Sequence, residues 1–127
     1  MGYDSRIYVV HKVDQGDFID FYSDGRCFAE EIAKFELCKV PEFRERIRKY
    51  PYTDCYIYAD DGDTRIIEDN YGEKLREIPL QDAINIIKEC LSTDTNPWWR
   101  LEACLSMLEG LNYPGMDSPL TVLHYGH

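Results

Sequence analysis

The sequence predicts an α+β fold built on a mostly antiparallel sheet of four to five strands, and three observations lead there. Short β-branched runs stand near both ends of the chain, at residues 6–12 and 120–125. Two amphipathic stretches, 80–91 and 97–108, lie together shortly before the last of these runs. An Asp-Gly pair separates two β-rich runs in the middle, the mark of a hairpin. Strands and helices grouped in this way, without strict β/α alternation, define the class. Two C-terminal helices are expected on one face of the sheet, with one short helix in the centre of the chain. The length of 127 residues is that of one domain, 1–127, with a single core.

Residues 6–12 read as the first strand, with Ile7, Val9 and His11 on one face and Tyr8 and Val10 on the other. The segment 27–40 carries two signals: Phe28, Ile32 and Phe35 keep helical spacing, whereas Phe35-Glu36-Leu37-Cys38 suits a strand end. It is read as strand. Pro41 takes a first helical position, and a short helix continues to Tyr50 with Phe43, Ile47 and Tyr50 on its inner side. In the hairpin, Asp61-Gly62 are the expected turn residues, so Ile57 faces Ile66, Tyr58 faces Arg65, and Asp60 opposes Asp63.

Leu80, Ala83, Ile84, Ile87, Cys90 and Leu91 form one apolar helical stripe. Asn96 is the expected N-cap of the next helix, Pro97 its first residue, and Trp98, Leu101, Cys104, Leu105 and Leu108 its buried stripe, with Gly110 at its end. A loop at 112–119 leads into the closing strand.

Charge says most about partners. Twenty-four acids against fourteen bases give a net charge of −10, gathered in blocks. Asp14, Asp17, Asp20 and Asp24 form one block. A second runs from Asp54 through Asp60, Asp61, Asp63, Glu68, Asp69 and Glu73, with Arg65 its only cation up to that point. Such surfaces repel nucleic acid and anionic lipid, and attract basic grooves on proteins. No apolar run reaches membrane-span length, and the first, Ile7 to Val10, is too short for a signal peptide, so a cytoplasmic protein is expected.

The five cysteines include no C-x-x-C pair, a pattern that suits neither a disulfide framework nor a zinc site. Asp60-Asp61-Gly62-Asp63 does not match a calcium loop, because the register before the glycine, Tyr58 and then Asp60, lacks the first ligand. Single scattered glycines make no phosphate loop, so no cofactor is expected. His11 and His124 lie on the terminal strands, where neighbouring strands would let them share proton transfer in a pocket between sheet and helices. Arg44, Arg46, Arg48 and Lys49 are the one basic cluster, interleaved with Glu42 and Glu45 as a salt-bridged face is. Ten tyrosines are many for this size. Tyr56 and Tyr58 alternate with Ile57 and share their set with Asp54 and Asp60, so they are either stiff amphipathic contacts or core beneath a covering element.

Residues 53–64, with Ile78-Pro79-Leu80 and the terminal Leu123-His124-Tyr125-Gly126-His127, resemble short uncharacterised acidic proteins carried by prophages of Gram-positive bacteria. The likeness covers about half of the chain. It implies a mobile-element accessory protein, a group that includes anti-CRISPR-type inhibitors of nucleases, and it assigns no residue a role.

The expected function is non-enzymatic. Asp54, Tyr56, Tyr58, Asp60, Asp61 and Asp63 are the primary contact set, and Asp14, Asp17, Asp20 and Asp24 the second. Their partner is a basic host protein such as a nucleic-acid-binding effector, with no direct contact to nucleic acid or membrane. Two alternatives stand beside it: a small enzyme or ligand sensor using His11 and His124, and a homo-oligomer formed through exposed tyrosines.

Overall fold

A computed structural model describes residues 4–12, 27–38, 41–93, 99–112 and 120–127. The fold is α+β. In chain order the elements are β1 (Ser5–Lys12), β2 (Ala29–Cys38), α1 (Pro41–Ile47), β3 (Ile57–Tyr58), β4 (Arg65–Ile66), β5 (Arg76–Pro79), α2 (Leu80–Thr93), α3 (Trp99–Leu111) and β6 (Leu120–Gly126). Four strands make an antiparallel sheet in the order β2-β1-β6-β5, and β3 and β4 form a separate two-stranded hairpin.

β1 lies inside the sheet, which explains its composition. Both of its faces are covered, so Ile7, Tyr8, Val9 and Val10 are all buried. Ile7 and Val9 join Val122 and Ile78 beneath the helices. Tyr8 and Val10 join Leu123 on the opposite side, under Cys55, Ile57 and Leu75. The ambiguous segment at 27–40 is a strand from Ala29 to Cys38, paired along β1 with shifts in register between Ser5 and Arg6 and between Val9 and Val10. The second shift leaves Ile32 unpaired and 46% exposed. Extra residues of this kind break strict alternation and give a strand a helix-like spacing.

α2 buries Leu80, Ala83, Ile84, Ile87 and Cys90 as expected, and Ile86 as well. α3 buries Leu101, Cys104 and Leu108 and runs one residue beyond Gly110, which is helical and does not end the helix. Asn96, Pro97 and Trp98 lie outside the described residues. α1 stops at Ile47, earlier than Tyr50, but Phe43 and Ile47 are buried as expected. It is fastened to α2 by Arg46 with Glu89 (2.6 Å) and by the Tyr50 hydroxyl donating to Asp82 (3.0 Å).

In the strands, two features differ from the sequence expectation. The hairpin is not part of the main sheet, and a four-residue strand, β5, takes the place beside β6. Only Ile78 of β5 is buried, and the strand ends on proline, which a strand tolerates at an edge. Its outer side is covered by residues 51–53, through Glu77 N–H to Pro51 O (3.0 Å) and Thr53 N–H to Leu75 O (2.8 Å).

Candidate functional site

The hairpin stands on a buried base. Cys55, Tyr56 and Ile57 are each 2% exposed or less, and Ala29 N–H to Tyr56 O (2.9 Å) with Tyr56 N–H to Cys27 O (2.8 Å) bind this base to the start of β2. The ladder has the expected register, Ile57 with Ile66 and Tyr58 with Arg65, and closes with Ala59 N–H to Thr64 O (2.8 Å). Beyond that point the turn is wider than expected. Gly62 N–H bonds back to Ala59 O (2.9 Å), so 60–63 form a four-residue loop and Asp60 does not oppose Asp63 across a ladder.

Asp61 causes this. Its Oδ1 accepts from Asp63 N–H (2.9 Å) and Thr64 N–H (2.8 Å), and its Oδ2 from the Thr64 hydroxyl (2.6 Å). These bonds hold its carboxyl below the usual range, the hydroxyl contributing most. Gly62 takes φ +77°, a conformation that favours glycine. Gly62→Ala is expected to cost about 1 kcal/mol and lower the unfolding midpoint without touching the core, as urea denaturation will read.

The contact residues read from the sequence do not share one environment. Asp60, Asp61 and Asp63 are exposed together at the tip. Asp54 lies at the foot of the hairpin and pairs with Lys74 (2.9 Å). Tyr58 is half-buried, whereas Tyr56 is fully buried, which makes it core and removes it from the contact surface. Its ring clusters with Phe28 (5.8 Å) and Tyr58 (5.9 Å), which also touch each other (5.3 Å), and the Arg65 guanidinium lies 4.6 Å from its centroid. Asp14, Asp17, Asp20 and Asp24 lie outside the described residues.

The tip reaches over β2, where Lys34 Nζ meets Asp60 at 2.6 Å. That contact is the main reason the lysine titrates higher and the carboxyl lower than usual. Glu31 shares the face of Lys34, two positions along the β1 ladder, and acts on it electrostatically. The sequence alone does not single out Glu31, because its closeness to Lys34 is set by strand pairing. Among the described residues the most exposed tyrosines are Tyr52 and Tyr71, also missed from sequence. Tyr52 is stacked under Arg76 (4.2 Å), and the Tyr71 hydroxyl donates to His127 O (3.2 Å).

The two histidines do not meet. β1 and β6 are neighbours, but Ile7 pairs with His124 and His11 with Leu120, which separates the imidazoles by four strand positions, about 13 Å. His124 is 4% exposed, its Nε2 is 2.9 Å from Ser5 Oγ, and Phe43 lies 5.9 Å from its ring. Burial, then Arg76 and Arg44, push its pKa down to about 4, so it is neutral near pH 7. Among the described residues no group of three or more His, Cys, Asp or Glu is placed to hold a metal ion, and no helix is long and apolar enough to cross a membrane.

No family model matches the chain, and no curated protein or solved structure matches it significantly.

Proposed function

We propose that this chain is a non-enzymatic binding protein whose acidic hairpin docks onto a basic, nucleic-acid-binding surface of another protein. The observation that carries the reading is the tip itself. Three carboxylates within four residues are raised on a loop stiffened by Asp61, above a base that is anchored in the core. Glu31 shares the β2 face of Lys34, and Lys34 and Arg6 are cations that act on Asp60. The Lys34–Asp60 pair is largely exposed, and pairs of that kind hold weakly, so a partner's lysine or arginine can take its place.

Carboxylates on a preformed loop substitute for phosphates and speed encounter, while the half-buried Tyr58 beside them adds contact area. The resemblance to prophage proteins supports a partner among host effectors that handle nucleic acid, and the proposed mode of action is competition for their basic channel.

The decisive comparison is capture of binding partners by the native chain and by the triple variant Asp60→Asn, Asp61→Asn, Asp63→Asn. A protein retained by the native chain at low salt, released at high salt or by added DNA, and not retained by the variant is the expected result. Retention that ignores salt, nucleic acid and the three substitutions would overturn the proposal.

A further inference from the structure

The one basic cluster in the chain is divided by the fold. Arg46 turns to Glu89 on α2, whereas Arg44 and Arg48, four residues apart and so on one side of the helical path, line a cleft of about 180 Å³. Lys74, shortly before β5, and Arg76, its first residue, approach the same cleft, and the buried His124 of β6 contributes to its lining. Asp69 and Glu73 line it too, so four cationic side chains meet two carboxylates in a chain whose net charge is −10.

Several of these groups are held in place. Arg76 Nη1 donates to the carbonyls of Arg48 (3.1 Å) and Tyr50 (2.7 Å), and its Nη2 to the Tyr52 hydroxyl (2.9 Å). This ties the end of α1 to β5 and fixes a positive charge beside the cleft. Asp69 Oδ1 is engaged by the N–H groups of Tyr71 (2.8 Å) and Glu73 (3.0 Å), which fixes the position of this carboxylate on the cleft wall. Arg48 with Glu45 (3.1 Å) and Lys74 with Asp54 (2.9 Å) are exposed pairs of the weak, exchangeable kind.

The volume is several times the roughly 30 Å³ of one water and below the roughly 300 Å³ at which sites for larger organic ligands begin. A compact, highly charged group fits those limits. Guanidinium forks match the oxygens of phosphate groups, and an ammonium adds a point charge.

We infer that the cleft between α1 and residues 69–76 is a binding site for a small phosphate-type oxyanion. It is separate from the acidic tip and does not depend on the docking function proposed above.

Pyrophosphate and inorganic phosphate, titrated at constant ionic strength, are the probes. One-to-one saturation by calorimetry, with shifts of the His124 ring signals in NMR spectra, is the expected result. The double variant Arg44→Gln, Arg48→Gln weakens binding about tenfold or more, Lys74→Gln weakens it from the other wall, and Arg46→Gln, on the far side of α1, leaves it unchanged. Far-UV circular dichroism establishes that each variant is folded. Absence of saturation at millimolar probe, or equal losses in the Arg46 variant and the Arg44/Arg48 variant, would reject the site.

Discussion

Replacing Tyr56 with alanine is expected to destabilise the protein by about 3–5 kcal/mol, the range for removing a large buried aromatic. The side chain is 0% exposed and its ring packs on Phe28, just before β2. Its loss opens a cavity beside Phe28 and Tyr58 and takes away the surface on which Arg65 rests. Urea denaturation of the native and variant chains measures the difference in midpoint at constant slope. A residue acting only at a binding surface would change affinity and leave that midpoint in place. A shift under 1 kcal/mol would therefore contradict the burial described here.

Acidification supplies the second large effect. In the unfolded chain His124 titrates near its ordinary 6.5, and in the folded protein burial, with Arg76 and Arg44 nearby, lowers this to about 4. The unfolded state therefore takes up the proton first. Above about pH 6.5 both states carry a neutral ring and the full stability is present; between about 6.5 and 4 the unfolded state binds more protons, and stability falls as the pH falls. The integrated loss is on the order of 3 kcal/mol. His124→Gln keeps a side-chain polar group for Ser5 but cannot titrate. Its denaturation free energy, measured across the same window, is expected to fall less than that of the native chain by about this amount. Parallel profiles would mean that the folded protein accepts the proton as readily as the unfolded one.

The charge distribution leads to a mixed outcome for the acidic surface. Asp54 and Asp60 were legible as acids on one hairpin, and their neutralising partners, Lys74 and Lys34, were not, because they come from 20 and 26 residues away in the sequence. The field at the tip is therefore more local than the row of acids in the sequence implies. Tyr56 shows the same limit. Alternation placed it opposite Ile57, but alternation cannot tell that both sides of a short hairpin base are covered. The basic run at 44–49 looked like a solvated, self-paired helix face. Arg46 and Arg48 do have acidic partners, but Arg44 and Arg48 also join Lys74 and Arg76 at a cleft that no local pattern marks.

Elements with strong local periodicity were readable from residues alone. The α+β class, the stripes of α2 and α3, the β1 and β6 strands, and the pairing of Ile57 with Ile66 follow from spacing that repeats within a few residues. Local sterics and the burial of one face dictate such elements wherever the chain goes next. Folding in three dimensions supplied the rest: β5 as an edge strand, the hairpin as a cover for the second sheet face, the separation of His11 from His124, and the meeting of four cations in one cleft. Each of these depends on contacts between residues distant in the chain. Their positions are set by strand order and register, which no local run of residues encodes.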